Sequence, residues 1–503
     1  MVSIDEMFTF CKRKGFVFPN SEIYGGLAGF FDYGPLGVEL NNNIKQSWWK
    51  TFVQDREDVV GIDGCIITNP KVWEASGHVE GFEDVLVECK KCHERFRADL
   101  LIEDVLKIAA DGLKAVAIDK LIKENNIRCT KCKGELDKAS RFNLMFQTQV
   151  GPKPTKESIA YLRPETAQLI FANFKSVMDV SRLKLPFGIA QVGKAFRNEI
   201  SPRNFLFRCR EFEQMEIEYF IKPKQACPYV KSVENYKLLI YSAEMQVKKK
   251  EPEQRSMKDA LADKIIKNDW HAYWLATCHK WFVDLGVNPK NLRARQHKKD
   301  ELAHYSTDCW DLEYNFPFGW KELEGIADRS DFDLQQHAKH SKKDMSIFDE
   351  ESKEKIVPHV VAEPSLGVGR SFLVFMYDAY TYDKDRDNIV LKLNPKLAPV
   401  NVAVLPLLSN KPELLKKSQE LYDSIKCCFK SVYDKSGSIG KRYARNDEIG
   451  TPYCVTIDFD SLDNDDVTIR DRDSTDQKRV KIKDLSNVLF QLLTGMVKFK
   501  DVK

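Results

Sequence analysis

The stretch 193–220, GKAFRNEISPRNFLFRCREFEQMEIEYF, contains five arginine or lysine residues and five glutamates. Its ends are rich in β-forming residues and its middle holds Pro202 and Asn204, which predicts strand, loop and strand in an antiparallel hairpin. Charged side chains are poor strand formers and costly to bury alone, so two explanations remain open. Either the hairpin is a solvated edge, or its charges bind a ligand that is itself charged at both ends.

A ligand with a polyphosphate at one end and an ammonium group at the other would match this composition. Guanidinium groups bind phosphate oxygens bidentately, an aromatic ring stacks on a base, and carboxylates accept hydrogen bonds from an amine. The candidates in the hairpin are Arg197 with Arg208 or Arg210 for phosphates, Phe212 for a base, and Glu199 and Glu216 for an amine. Any one of them alone is more simply a cross-strand ion pair. The ligand is favoured because other segments carry similar charges, at Glu165, Glu322, Glu324, Glu363 and Arg370.

Four cysteines form two pairs of identical spacing, Cys89-x-x-Cys92 and Cys129-x-x-Cys132. Four thiolates from two such turns can surround one zinc ion tetrahedrally. A small insert without a core of its own needs a bound metal to stabilise its fold, which indicates a structural metal rather than a catalytic one. Free cysteines in loops are the weaker alternative, and His93 is an extra ligand or a surface residue.

The elements that must position these residues divide the chain into two predicted domains. The first, 1–390, contains an amphipathic helix at about 38–52, a strand that ends at Pro70, the cysteine insert at about 87–140 and a second, helical insert at about 221–290. Pro164 and Glu165 suit the first turn of a helix. The second domain, 391–503, reads as a compact β-α-β unit, with the boundary between 382 and 397.

Composition excludes several classes of protein. The 503 residues carry a net charge of only +3, so nucleic-acid contact must come from local patches and general DNA binding is not expected. No stretch approaches a membrane span, and the N-terminus lacks the apolar run of a signal peptide. Thirteen cysteines without a secretion signal indicate a reducing compartment. We therefore expect a cytoplasmic protein that does not contact membranes.

Three segments together resemble the signature motifs of class II aminoacyl-tRNA synthetases. AFRNE followed by RCREF resembles the second motif, and GVGRSFLVFMYDAY, in which a GxGR turn leads into a helix, resembles the third. The helix and strand that end at Pro70 resemble the first motif, which in this class lies at a dimer interface. The resemblance implies an α+β fold, with a six-stranded antiparallel catalytic sheet flanked by helices and a C-terminal α/β anticodon-binding domain.

A finer resemblance is to the homodimeric type of glycyl-tRNA synthetase, and it covers nearly the full chain. It rests on SEIYGGLAGFFDYGPLG, YLRPETAQ, FRNEISPRN, REFEQMEIEYF, FPFGWKELEGIADR, AEPSLGVGR and SIGKRYARNDEIGTPYCVTIDFD. The segment 223–287 matches none of these blocks. The resemblance implies a homodimer that activates glycine with ATP and transfers it to the 3′ end of tRNA(Gly).

The resemblance also implies roles for individual residues. Arg197, Glu199 and Arg370 would be catalytic, and Glu322 would hold Mg²⁺ with ATP because hard oxygen ligands suit that ion. The implied ATP-binding residues are Arg197, Asn198, Glu199, Phe207, Arg208, Phe212, Glu322, Leu323, Gly367, Gly369 and Arg370. The implied glycine-binding residues are Arg97, Glu165, Phe212, Glu213, Gln214, Met215, Glu216, Arg295, Glu363 and Ser365, of which Arg97 and Arg295 are the weaker members.

The C-terminal stretch SIGKRYARND combines Lys441, Arg442 and Arg445 with Tyr443, a mixture suited to unstacked RNA bases. Charge alone leaves RNA contact and a merely stabilising domain equally open, and the resemblance favours RNA contact. Two alternatives to glycine ligation remain. One is a synthetase-like RNA-binding protein that has lost catalysis, and the other is a class II synthetase for another small amino acid. The first should lack an ATP-binding residue, and a pocket with three glutamates disfavours the second.

Overall fold

The structure is a computed structural model, and it describes residues 2–108, 110, 112–303 and 305–502. Helices and strands are numbered separately in chain order. The α-helices of the described ranges are α1 Ile4–Lys14, α2 Pro35–Trp49, α3 Pro70–Ala75, α4 His78–Gly81, α5 Ala98–Leu106, α6 Ala115–Glu124, α7 Ala167–Ser181, α8 Ala243–Val247, α9 Met257–Ala262, α10 Asp269–Asp284, α11 Phe332–Ser341, α12 Val368–Ala379, α13 Pro412–Ile425, α14 Ile439–Ile449, α15 Phe459–Asn464 and α16 Ile482–Thr494.

The strands alternate with these helices without segregating to one end of the chain. They are β1 Val17–Pro19, β2 Phe31–Tyr33, β3 Val59–Ile62, β4 Ile67–Thr68, β5 Glu83–Glu88, β6 Arg95–Arg97, β7 Ser140–Asn143, β8 Gln147–Gln149, β9 Ile159–Leu162, β10 Phe187–Phe196, β11 Glu211–Ile221, β12 Lys237–Tyr241, β13 Glu253–Ser256, β14 Leu292–Gln296, β15 Asp308–Phe316, β16 Gly319–Asp328, β17 Ile347–Asp349, β18 Glu354–Ile356, β19 His359–Gly367, β20 Tyr380–Asp383, β21 Asn388–Leu391, β22 Val402–Pro406, β23 Ser431–Tyr433, β24 Tyr453–Ile457, β25 Asp466–Asp471 and β26 Gln477–Lys481.

A nine-stranded sheet with the order β13-β12-β14-β15-β16-β19-β11-β10-β3 forms the centre of the first domain. The six strands from β14 to β10 are antiparallel throughout, as expected from the sequence. The sheet is larger than expected because β3 adds parallel to β10 at one edge and β12 adds parallel to β14 at the other. The α+β class is confirmed.

The charged hairpin consists of β10 and β11, which pair from Phe187↔Phe220 to Phe196↔Glu211. It is not an edge, because β11 lies between β10 and β19 in the middle of the sheet. Successive side chains of a strand point to opposite faces. Met215 and Ile217 accordingly enter the hydrophobic core, whereas Glu216 faces the other side of the sheet. The explanation of the charges as a solvated edge is therefore wrong.

Two local expectations need correction. The segment 221–290 is not wholly helical, because β12 and β13 extend the central sheet and bury Leu238 and Ile240 before α10 begins. The strand expected to end at Pro70 is two short strands in different sheets, β3 and β4. Pro70 itself starts α3, whose N-terminus is capped by the Asn69 side chain. Proline fits the first helical position because its missing N–H would have no helical partner there.

The cysteine insert has a small core of its own, contrary to the expectation of a unit held by metal alone. Its three-stranded sheet has the order β6-β5-β7 and packs against α5 and α6. Val87, Ile102 and Ile118 are buried at its centre. The helical periodicity of α5 and α6 supplies this core, and the cysteine pairs close one end of it.

The C-terminal domain contains a five-stranded sheet of order β23-β22-β24-β25-β26 with its own core. The junction with the first domain is built from specific contacts. Asn43 of α2 donates to the carbonyl oxygens of Leu397 and Ala398 at 3.1 and 3.0 Å, and Arg472 donates to that of Leu393 at 2.9 Å. Leu397 also packs in the core of the first domain. Chain continuity and packing therefore tie the two domains together. Among the described residues, no helix has the length and apolar character needed to cross a membrane.

Gly37 of α2 lies against the chain at Phe16, and a methyl group there would stand 1.7 Å from the Phe16 carbonyl oxygen. We predict that Gly37→Ala destabilises the protein by about 3 kcal/mol, because backbone on both sides must move. The matched control is Gly440→Ala in α14, where a methyl group meets no atom within 4 Å. Melting temperatures measure the difference. Equal melting of both variants would contradict the close packing of α2.

Candidate active site

A cavity of about 310 Å³ opens over one face of the central sheet, where β11, β16 and β19 run side by side. Fourteen of the residues assigned from the sequence line it: Glu165, Arg197, Glu199, Phe207, Arg208, Phe212, Gln214, Glu216, Glu322, Glu363, Ser365, Gly367, Gly369 and Arg370. They come from five separate stretches of the chain, 165, 197–199, 207–216, 322 and 363–370. The fold therefore brings together, in one cavity, residues that are far apart in sequence.

One end of the cavity is rich in arginine and aromatic side chains. The Arg197 guanidinium lies 5.3 Å from the centre of the Phe212 ring and donates to the Pro164 carbonyl oxygen at 3.1 Å. Arg370, in the first turn of α12, lies 4.5 Å from the centre of the Phe207 ring and pairs with Glu322 at 3.1 Å. A planar guanidinium held over an aromatic ring presents N–H donors at its edge, and such donors suit phosphate oxygens. This end of the cavity suits a nucleoside phosphate.

The other end of the cavity is lined by buried carboxyl groups. Glu165 accepts from Gln168 at 3.1 Å and lies 3.3 Å from His78, and the Thr166 hydroxyl donates to Glu216. Glu363 accepts from Arg329 at 2.8 Å. Ser365 stands directly opposite Glu216 on the neighbouring strand. The convergence of three carboxyl groups at this end suits a cation with several N–H donors.

Arg329, which sequence reasoning did not single out, anchors this carboxyl cluster. Its guanidinium is 1% exposed, donates to Asp333 at 2.7 and 2.9 Å, and lies over the Tyr305 ring at 3.8 Å. It is the last residue of the block FPFGWKELEGIADR and directly follows the end of β16. The sequence signal that could have identified Arg329 was the position of a charged residue directly after a strand that is buried at its end.

The carboxyl groups of the cluster differ in their proton affinity. Burial alone would raise the pKa of Glu165, but His78 and Arg329 outweigh it and hold that pKa below the ordinary value. Burial, with the charge of Glu165 added, raises the pKa of Glu216. Burial raises the pKa of Glu363 to about 8 against the opposing charge of Arg329, and Glu216 and Glu165 add to the rise. A cation bound among these groups would favour their charged forms and so lower the raised pKa values of Glu216 and Glu363.

A third wall of the cavity contains residues that the sequence analysis missed. His297 and Asp311 form an ion pair of 2.7 Å, and Cys309 and Tyr305 lie near them. Burial raises the pKa of Asp311 to about 6, against the effect of His297. The sequence offered only a weak signal for these residues. His297 stands two positions after Arg295, and Asp311 stands between the apolar residues Trp310 and Leu312. Leu206, Cys209, Gly325, Ala327 and Leu366 complete the lining.

Six of the assigned residues do not line the cavity. Glu213 points to the opposite face, where it accepts from Asn41 at 2.7 Å and Lys45 at 2.9 Å, and Met215 and Leu323 are core residues. The other three are Arg97, which pairs with Asp99 and Asp84, Arg295, which pairs with Glu301, and Asn198, whose backbone N–H donates to the Leu144 carbonyl. For Glu213 and Met215 the reason is the two-residue period of β11, because they alternate with Gln214 and Glu216.

The four cysteines of the insert converge as the spacing predicts. The Cys89 and Cys132 sulfurs are 3.5 Å apart, those of Cys92 and Cys129 are 3.6 Å apart, and all four lie within 4.8 Å of one another. Tetrahedral zinc thiolates at about 2.3 Å from the metal have sulfurs roughly 3.8 Å apart, so the donor set fits zinc.

The turns at the two cysteine pairs are nearly identical. Backbone N–H groups of His93 and Lys133 donate to the first cysteine of each pair at 2.9 Å, and both residues have positive φ. His93 itself faces Glu88, at 3.0 Å. Paired turns of one shape are the arrangement of a closed four-thiolate site.

The basic stretch of the C-terminal domain divides into exposed and structural residues. Arg442 is 1% exposed and donates to the carbonyl oxygens of Pro406 and Leu407, so the expectation that it meets RNA is wrong. The helical period of α14 turns it inward. Lys441 is exposed, Arg445 is exposed while pairing with Asp434 at 2.6 Å, and Tyr443 donates to or accepts from Thr456.

We predict that the purified protein contains one zinc ion per chain and that Cys89→Ser and Cys132→Ser lose it. The variants should melt at lower temperature and expose the insert to proteolysis, since the metal closes its small core. Elemental analysis and limited proteolysis measure both effects. Cys65→Ser, an exposed free cysteine outside the cluster, is the control. Metal-free protein with unchanged melting of the serine variants would remove the zinc site.

Comparison with known proteins places the chain in a family. The model described as "tRNA synthetase class II core domain (G, H, P, S and T)" matches residues 146–376, and that described as "Anticodon binding domain" matches 401–492. The glycine–tRNA ligases of Caldanaerobacter subterraneus subsp. tengcongensis and Clostridium acetobutylicum are each 47% identical, over 98% and 97% of this chain and 99% and 98% of theirs. That of Thermobifida fusca is 44% identical over 98% of both chains. With this identity over nearly the full length, the chain belongs to the glycine–tRNA ligase family of class II aminoacyl-tRNA synthetases.

Proposed function

We propose that this protein is a glycine–tRNA ligase, which activates glycine with ATP and transfers it to the 3′ end of tRNA(Gly). The observation that carries the proposal is the pairing, in one cavity, of an arginine and aromatic end with a buried three-carboxylate end. The first end suits ATP and the second suits the ammonium group of an amino acid. The membership of the family supports the same substrates.

The first step is formation of glycyl-adenylate. A carboxylate oxygen of glycine attacks the α-phosphorus of ATP, the bond to the β-phosphate oxygen breaks, and pyrophosphate leaves. Arg197 lies between Phe212 and Pro164, where its fixed charge offsets the negative charge that grows on the α-phosphate. Arg370 binds the far phosphates from the start of α12. No side-chain nucleophile takes part, because positioning and charge supply the catalysis.

Magnesium accompanies ATP in this reaction, and the oxygen-rich cavity fits it. Glu322 offers a carboxylate beside Arg370 at the phosphate end and is the residue we assign to hold the ion. When bound, the ion neutralises charge on the phosphates. Glu199 pairs with Arg208 at 3.5 Å and keeps that guanidinium turned toward the cavity.

Glycine is held through its charged groups because it offers no side chain. Glu165, Glu216 and Glu363 surround the position of the ammonium group, and Ser365 and Gln214 line the space beside it. The charge-assisted bonds from an ammonium group to such carboxylates are among the stronger hydrogen bonds in proteins. The intact set of ATP-binding side chains disfavours a relative without catalysis, and the carboxyl cluster disfavours a site built for a longer side chain.

In the second step a ribose hydroxyl at the 3′ end of tRNA attacks the glycyl carbonyl, and AMP leaves. The C-terminal domain binds the anticodon, with the exposed Lys441 on the surface we assign to it. We further propose that the protein acts in the cytoplasm as a homodimer. Ile23, Tyr24 and Leu27 support the dimer, because three large apolar side chains stand exposed on one loop.

We predict that ATP–pyrophosphate exchange depends on glycine and that Glu216→Gln raises the glycine KM roughly ten- to a hundredfold. The amide keeps the shape but removes one charge-assisted bond to the ammonium group, worth about 1.5–3 kcal/mol. The ATP KM should change little. Ser365→Ala should raise the glycine KM less and relax the rejection of alanine.

The control for Glu216→Gln is Glu213→Gln. Glu213 lies three residues earlier on β11, and its side chain faces the other side of the sheet. It should leave the glycine KM unchanged. Exchange by the wild type with another amino acid and not with glycine would overturn the proposed function. An unchanged glycine KM in Glu216→Gln would show that the glycine site is elsewhere.

We predict that Lys441→Glu lowers tRNA charging about tenfold through the tRNA KM while glycine-dependent exchange stays the same. Reversal of one exposed positive charge weakens a phosphate contact without touching the cavity. Lys416→Glu in α13 is the control, since its side chain is 80% exposed in the same domain. If both variants charge tRNA equally well, Lys441 does not contact RNA.

A further inference from the structure

Glu218 is a buried carboxyl group at the amino-acid end that the steps above do not use. It lies two residues beyond Glu216 on β11, on the same face of the sheet, and its side chain is 0% exposed. Neither of its carboxyl oxygens has a hydrogen-bond partner among the residues that the structure describes. Glu165, Glu216 and Glu363 all have such partners. A buried polar group without a partner is costly and needs a specific explanation.

The surroundings of Glu218 are mostly negative. Carboxyl oxygens of Glu216, Glu218 and Glu363 all lie within 4.8 Å of one another. The nearby cation is Arg329 at the end of β16, which already donates to Glu363 and to Asp333 of α11. An ionised Glu218 would be an uncompensated buried charge between two other acids, which is strongly unfavourable. Burial, with the charge of Glu363 added, raises the pKa of Glu218 well above the usual range, and Arg329 opposes this only in part.

We propose that Glu218 is a positioning residue whose protonated carboxyl group donates a hydrogen bond to the Glu363 carboxylate and keeps it directed at the ammonium group of glycine. The inference rests on the proposed function and deepens it, since it names the group that orients one wall of the glycine site.

The proposed hydrogen bond has a clear consequence. Arg329 holds the Oε1 atom of Glu363, and a Glu218 oxygen lies within 4.8 Å of a Glu363 oxygen, so a hydrogen bond from Glu218 would fix the Glu363 carboxylate from a second side. A neutral Glu218 also leaves one negative charge fewer in the cluster. The ammonium group then meets a preoriented carboxylate, and no energy is lost in rotating it at the moment of binding.

The test compares two replacements of Glu218 in the full-length enzyme. Glu218→Gln is neutral and still donates, so the glycine KM in ATP–pyrophosphate exchange should stay within about threefold of the wild type. Glu218→Leu removes the donor and should raise the glycine KM at least about tenfold, with a smaller change in kcat and an unchanged ATP KM. The control is Glu324→Gln, a buried carboxyl group that contacts Cys278 of α10 and does not line the cavity.

A second measurement covers the case in which Glu218→Leu does not fold. The infrared spectrum of the glycine-bound wild type should contain a protonated-carboxyl band that Glu218→Gln removes. An unchanged glycine KM in the leucine variant, a glutamine variant as defective as the leucine variant, or the absence of that band would overturn the proposal. A metal ion bound stoichiometrically by the three acids would overturn it as well. If the wild type itself shows no glycine-dependent exchange, the proposed function fails instead.

Discussion

The burial of Arg329 is the constraint on which the amino-acid end of the cavity depends. An isolated buried guanidinium and isolated buried carboxylates each cost several kcal/mol, so these groups can leave water only together. Asp333 and Glu363 take up its donors, and the Tyr305 ring covers its face. Because these partners come from α11, β19 and the loop before β15, one ion cluster fixes three elements relative to the sheet. The position of the proposed glycine site follows from that arrangement.

The two faces of strand β11 meet different requirements, because one face packs in the core and the other faces the cavity. On one face Met215, Ile217 and Tyr219 pack in the largest core of the molecule. On the other, Glu216 and Glu218 stand in positions where apolar residues would stabilise the sheet more. A strand in the middle of a nine-stranded sheet tolerates this because both neighbours hold its backbone. Departures from an apolar sheet face are expected where a site is built, and here they coincide with the cavity.

The sequence allowed much of this to be predicted, and the failures have physical causes. Periodicity and turn residues gave the hairpin, and the pattern of cysteines gave a convergent thiol cluster. Single-sequence reasoning could not show that the hairpin is interior, because pairing with β19 depends on residues more than a hundred positions away. Glu213 was wrongly assigned to the glycine site because the motif was taken as one continuous block of binding residues. In a strand, consecutive side chains point to opposite faces of the sheet. Arg442 and Arg329 are buried by partners that no local pattern reveals, since ion pairs form across the fold.

Affinity and selectivity in the glycine site must come from different parts of it. Every amino acid carries the same ammonium group, so the carboxyl cluster strengthens binding of all of them and discriminates against none. In the proposed glycine site, selection therefore depends on the space beside the Cα atom, and Ser365, Gln214 and Tyr305 are the lining residues we assign to it. A rigid wall rejects a larger side chain by overlap, whereas a pocket for a larger side chain cannot exclude a smaller one. The rigidity that Arg329 gives to this end thus serves selection as well as charge balance. Because no amino acid is smaller than glycine, steric exclusion is sufficient here, and the reaction has no need of a second, editing site.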